Sequence, residues 1–320
     1  MRKVILMCLV CFTAVIAQAK ILRVSNVVGS SAPYTTYAEA EVDALDGDTI
    51  IFDGSATSYG DVVVKDKRLV LLGHGYLLAA NDVSSLNDCD AIFGNIEIRT
   101  EGTVVQGLKA TNIYIRANNV VVTRCHANKI LNGGGYEGYY SGVFSGIVIH
   151  QNFVTYNITG IAGSTSQYFS NSQITNNIVV CSQYDAELIQ AMRNSVVQNN
   201  ILINKHFDAG YAATPMNLVE CMVENNIVFA NDKVVVTGSN NEIYGNVVGA
   251  SGFEFTDLAN DASILDDLKE YTAQGVGAGA GTDPYVISGI PAGPMIEDID
   301  MPTTVEKGKS MEVVVKVKVK

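Results

Sequence analysis

Ile149-His150-Gln151-Asn152-Phe153 returns as Ile174-Thr175-Asn176-Asn177-Ile178, Val197-Gln198-Asn199-Asn200-Ile201, Val223-Glu224-Asn225-Asn226-Ile227 and Ile243-Tyr244-Gly245-Asn246-Val247. The pattern is an apolar residue, two intervening positions, Asn, then a second apolar residue, with Asn-to-Asn steps of 25, 23, 26 and 20. One such unit is a short strand, a bend and another short strand, and it cannot close a core alone, so neighbouring units must stack. The runs are rich in Val and Ile with no helical period between them, which favours coils of β-strands over helix-containing repeats. Asn suits the bend because it tolerates a left-handed backbone and its amide can bond the equivalent Asn in the next coil. Going backward, the Asn slot is filled by Cys125 after Val122, Gly107 after Val104 and Gly73 after Val70.

Composition agrees with this reading. The 320 residues include 29 Gly and 15 Tyr but no Trp, and 48% are hydrophobic, enough for a sizeable core. A net charge of −12 argues against a nucleic-acid or anionic-membrane partner, which would favour a concentrated Lys/Arg face. Arg2 and Lys3 precede an apolar run at 4–17, and Ala17-Gln18-Ala19 is a small-x-small cleavage site. Residues 1–19 therefore read as a secretory signal peptide and the protein as exported: secreted, periplasmic or at the cell surface. Its removal leaves a charge of −14. No later stretch is long and apolar enough to be a transmembrane segment. Cys89, Cys125, Cys181 and Cys221 follow no metal or redox spacing and read as buried thiols rather than disulfides.

On the Asn repeats and the opening segment, the chain resembles the right-handed parallel β-helix, or pectate-lyase-like, superfamily across about 24–250. In the opening segment Tyr37-Ala38-Glu39-Ala40 leads to Asp46-Gly47-Asp48-Thr49-Ile50-Ile51-Phe52, Val62-Val63-Val64 and Leu69-Val70-Leu71-Leu72-Gly73. The resemblance implies an all-β, right-handed parallel β-helix solenoid of about eight to ten coils behind an N-terminal cap. The expected organisation is a signal peptide at 1–19, the β-helix at 20–250, a helical cap and Gly-rich linker at 251–282 and a β extension at 283–320. Leu258, Ile264, Leu265 and Leu268 form the apolar stripe of the expected helix, placed over the last coil, and 275–281 reads as a flexible connector. The Val/Lys alternation from Val315 predicts a half-exposed strand, either packed on that helix or serving as a sorting tail.

Measured from the Asn column, long excursions begin at Lys129, Tyr156, Ser182 and Asn204, which would place them on one side of the solenoid. They carry Tyr136, Tyr139, Tyr140, Tyr168, Tyr184, Glu187 and Tyr211, and loops on a rigid scaffold are where binding residues usually sit. Tyrosine joins an apolar face to a hydroxyl, which suits sugars, so these residues are the candidate ligand-binding set for a polysaccharide or glycan. The bland alternative buries their rings against the coil.

The fold itself hosts lyases, hydrolases, epimerases and plain binding proteins. A lyase of this superfamily needs a base and a group that neutralises the substrate carboxylate, and a glycosidase needs two carboxylates. Lys205, His206, Asp185 and Asp208 are the candidate catalytic residues under either reading. The superfamily's Arg-containing catalytic segment and clustered Asp calcium ligands have no match here. No cofactor or metal is therefore expected, and calcium enters only if the protein is a lyase. His74, His126 and His150 read as structural, and Arg99, Arg116, Arg124 and Arg193 as separate surface ion pairs. Nothing in the sequence sets an oligomeric state. Non-catalytic polysaccharide binding leads, a polysaccharide lyase or glycoside hydrolase is the alternative, and an architectural envelope protein stands third.

Overall fold

The computed structural model describes residues 19–81, 88–132, 142–160, 167–183, 186–206, 215–229, 235–248, 254–269, 272, 275–290, 294–300 and 314–319. They form an all-β solenoid of parallel strands. Ten strands, from Ile21–Val24 to Glu242–Tyr244, stack in register as the first face. A second sheet of fourteen strands forms the other two faces. In the early coils one seven-residue strand, such as Ile92–Ile98 or Lys109–Ile115, bends across both of those faces. Beyond Phe153–Thr159 the sheet divides. One branch continues through Ile178–Cys181, Ile201–Asn204 and Ile227–Phe229 as the second face. The other continues through Ile189–Arg193, Met216–Val219 and Val236–Ser239 as the third.

The corners explain the repeat. In the later coils, between the third face and the first and between the first and the second, the chain turns in two residues with distinct tasks. Gln151, Asn176, Asn199, Asn225 and Gly245 take positive φ, as do Gly146, Asn171, Asn194, Glu220 and Asn240 at the other corner. The residues that follow the first set build a ladder. Asn152 Nδ2 donates to Asn177 Oδ1 (3.0 Å), Asn177 to Asn200 (3.0 Å), Asn200 to Asn226 (2.9 Å) and Asn226 to Asn246 (2.8 Å). Each Oδ1 also accepts the backbone N–H of the preceding ladder residue. Left-handed bend and amide ladder therefore belong to neighbouring residues, not to a single Asn. At the opposite corner Ser172 and Ser195 bond in the same way: Ser172 N–H donates to Ser195 Oγ at 3.1 Å.

Register also corrects the early slots. Val104 pairs with Val121 and Val70 with Val104, so the residues level with Cys125 are Leu108 and His74, while Gly107 takes the left-handed position before the slot. The ladder starts at Asn152, whose Oδ1 accepts the Cys125 N–H.

Inside the coils, Ile50, Leu71, Val105, Val122, Ile149, Ile174, Val197 and Val223 form one fully buried column. Helix α1 (Tyr37–Asp43) is held by a capping box of Thr36 with Glu39, and it buries Tyr37 and Ala40 against the N-terminal coils.

The C-terminal segment departs from expectation. Helix α2 (Leu78–Asn81) is one turn, and helix α3 (Asp261–Asp267) lies on the flank of the second face rather than over the last coil. Its Ile264 and Leu265, with Leu268, pack on Phe153, Ile178, Val180, Ile201, Ile203, Ile227 and Phe229. Those second-face strands are buried on both sides, so the helix finds more apolar surface there than an end rung offers. The Gly-rich segment is packed, not free. Gly277, Ala278 and Gly279 are buried, and Asn176 Nδ2 donates to the carbonyls of Ala278 (2.9 Å) and Ala280 (2.7 Å). From there a strap runs back along the solenoid. Gln151 Nε2 donates to Asp283 Oδ1 at 2.8 Å, Arg124 Nη1 to the Ile290 carbonyl at 3.0 Å, and the Tyr76 and Tyr285 hydroxyls bond each other. The left-handed corner residues thus supply the side chains that grip the strap. Past it, Pro294–Asp300 and Val314–Val319 form an antiparallel hairpin.

No helix among the described residues is long and apolar enough to cross a membrane.

Candidate functional site

In the later coils both corners of the first face take two residues, whereas the described strands leading into and along the third face are separated by 133–142, 160–167, 182–188, 205–215 and 230–235; in the early coils the long separations, 53–61 and 73–91, follow the first face instead. The sequence placed two of these breaks too early. Lys129 and Tyr156 lie inside the strands His126–Asn132 and Phe153–Thr159, which run on across the corner before breaking. Lys129 Nζ sits 4.2 Å from the centroid of the Tyr156 ring, a cation–π contact between coils. The break at 230–235 falls outside all four expected excursions.

On the third face the outward register column reads Glu97, Tyr114, Leu131, Thr159, Gln190, Asn217 and Thr237. A second column reads Ser145, Ser170, Arg193, Val219 and Ser239. Hydroxyls and amides dominate both. Among the described residues Arg193 has no ion-pair partner; its guanidinium lies 4.3 Å over the Tyr168 ring, a cation–π contact between neighbouring coils. Asn217 Nδ2 donates to Glu187 Oε1 at 3.0 Å, which fixes that carboxylate beside the column. At the N-terminal end of the face Arg99 and Arg116 share Glu97, with Arg116 Nη1 at 3.0 Å from Glu97 Oε1, so these two arginines are not at separate sites either.

The remaining candidates have other surroundings. Lys205 Nζ is 3.9 Å from Asp261 Oδ1 at the start of α3, on the second-face side. His206 Nε2 is 2.8 Å from the Ser182 carbonyl, and its backbone N–H donates to Asn204 Oδ1 at 2.9 Å. Tyr136, Tyr139, Tyr140, Tyr184, Asp185, Asp208 and Tyr211 lie outside the described residues. Of the named candidates the structure describes Tyr168, Glu187, Lys205 and His206, and the first two belong to the third face.

Sequence reasoning missed the cluster under α3. His126 Nε2 lies 3.8 Å from Asp261 Oδ2, and the imidazole packs against the rings of Tyr76 and Phe153, which stack on each other. Burial, with a smaller contribution from Lys109, pushes His126 down to about 3, so it is neutral at physiological pH. Burial raises the Asp261 carboxyl against the opposing pull of Lys205 and Lys109. The missed signal was the unbroken apolar run Ile201-Leu202-Ile203, repeated at Ile227-Val228-Phe229. A strand apolar at every position is covered on both sides.

Cys125, Cys181 and Cys221 are buried thiols and Cys89 is half-buried, with Cys125 pushed up to about 12 by burial. Among the described residues no group of three His, Cys, Asp or Glu is placed to hold a metal ion. The fold makes the chain a parallel β-helix solenoid with one interrupted, polar face. No protein-family model, curated protein or solved structure matches it.

Proposed function

We propose that the protein is exported and binds a polysaccharide along the third face without cleaving it, as a non-catalytic member of the pectate-lyase-like superfamily. The observation that carries this reading is that, from Asn132 onward, the five long separations between described strands group around the one face whose outward columns are hydroxyl and amide. Tyr168 backed by Arg193 offers a pre-positioned aromatic surface for a sugar ring, and Asn217 with Glu187 offers hydrogen-bond partners for its hydroxyls. Lys205 is engaged by Asp261 under α3, which supports binding ahead of catalysis.

The test is a glycan-array screen of residues 20–320, followed by product analysis on every polysaccharide that binds. The expected result is retention without new reducing ends or unsaturated products, weakened at least about tenfold by Tyr168→Ala, in keeping with an aromatic anchor. Cleavage would move the reading to an enzyme, and binding unchanged in Tyr168→Ala would remove the third face from it.

A further inference from the structure

Among the described residues the solenoid is closed at one end and open at the other. At the N-terminal end α1 buries Tyr37 and Ala40 over the core. At the far end Val236–Ser239, Glu242–Tyr244 and Val247–Val248 each pair with a strand on one side alone. Ile243 is 50% exposed, although Ile149, Ile174, Val197 and Val223, one after another in its inward column, are fully buried. Val247 is 51% exposed in the outward column of the second face, whose Phe153, Ile178 and Ile201 are fully buried under the C-terminal segment, so that cover ends before this last rung. Unpaired strand edges over an uncovered core accept an added β-strand.

We propose that this end docks the Val314–Val319 strand of a second copy of the chain, added in parallel beyond Glu242–Tyr244. The two segments match position by position. A register that brings Val317 level with Ile243 brings Lys316 level with Glu242 and Lys318 level with Tyr244, so base meets acid, apolar meets apolar and a cation meets an aromatic ring. Glu224, which pairs with Tyr244 one rung below, adds negative charge to the same edge.

Tether length assigns the strand to another copy. The strap ends with the Ile290 carbonyl held by Arg124, directly after the first-face strand Val121–Thr123. That strand is five rungs from Glu242–Tyr244 in the sheet order. An added strand would stand at the sixth rung and its hairpin partner at the seventh, about 34 Å from Arg124 at ~4.8 Å per rung. Ile296, the partner of Val317, follows Ile290 by six residues, which span at most about 21 Å. The intact hairpin therefore falls short of its own solenoid's open end. Each copy offers one basic strand and one acidic end, so pairs exchange tails or chains of copies grow.

The test is sedimentation velocity of the full chain over a micromolar concentration series, with Glu242→Lys, Lys316→Glu and the double charge swap. The expected result is concentration-dependent association, weakened about tenfold or more by either single change and restored by the double change. Restoration shows that each single variant still folds. A monomer at every concentration overturns the proposal, as does association indifferent to both single changes or not recovered in the swap.

Discussion

Replacing Asn177 by Ala removes the middle of the amide ladder and tests what holds the coils in register. Asn177 is fully buried, and its Oδ1 accepts from the Asn152 backbone N–H (2.9 Å) and from Asn152 Nδ2 (3.0 Å). Its Nδ2 donates to the Ile149 carbonyl (2.9 Å) and to Asn200 Oδ1 (3.0 Å). Alanine leaves the Asn152 N–H without its acceptor and the Ile149 carbonyl without this donor, where no water can substitute. At about 1–3 kcal/mol for each orphaned buried group, with lost amide–amide bonds besides, the expected cost is about 3–5 kcal/mol. Asn246, the last rung, is partly exposed and its freed partners can hydrate, so Asn246→Ala should cost only about 1 kcal/mol. Urea unfolding followed by circular dichroism measures both. Equal losses at the two positions, or a loss below about 1 kcal/mol for Asn177→Ala, would refute the ladder as a source of stability.

Two further predictions follow from the flank of the second face. Because His126 is pushed down to about 3 in the folded chain, the folded state binds fewer protons than the unfolded state below the ordinary histidine range. Its contribution is present above about pH 6.5 and is lost as pH falls toward 3, at ~1.4 kcal/mol per unit, or about 2 kcal/mol by pH 5. His126→Phe, packed against the Tyr76 and Phe153 rings and next to Lys109 and Asp261, should flatten that part of the pH–stability curve, and an unchanged slope in urea titrations would count against it. Gly289 has φ +57° and its added Cβ would come 2.4 Å from the Arg124 carbonyl, so Gly289→Ala should loosen the strap at a cost of about 1–3 kcal/mol. Limited proteolysis should then cut within 275–290 faster than in the parent, and equal rates would show that the strap does not depend on this approach.

The solenoid was legible because its repeat is carried by chemistry that cannot vary freely. A buried amide column needs Asn at Asn152, Asn177, Asn200, Asn226 and Asn246, and the spacing between them is visible without any structure. Its backward extension slipped by one residue at Gly107 because glycine marks the left-handed position, which precedes the ladder position filled there by Leu108. The excursions from Lys129 and Tyr156 were placed early because the Asn ruler gives the start of a strand and not its length. The route of the C-terminal segment was illegible for a different reason. Gly277-Ala278-Gly279 has the composition of a loose linker, yet small residues are also what allows a backbone to lie flat against Ile201 and Ile227. Only the apolar second face decides between those readings. The partners of Tyr168 and Glu187, namely Arg193 and Asn217, come from neighbouring coils, so finding them required the register of the third face.

A stack of coils is ordinarily a chain of nearest-neighbour interfaces, in which one end can fray without consulting the other. The strap changes that connectivity. By touching Tyr76, Arg124, Gln151 and Asn176 in succession, while the segment before it covers Ile201, Ile227 and Phe229, one stretch of backbone ties coils that never touch each other. Opening any coil under it means peeling a cover shared with the rest, so the middle of the rod should exchange its amide hydrogens as a single cooperative block. The rung at Glu242–Tyr244 lies beyond the strap's reach, so in an unassociated copy it should open and close by itself.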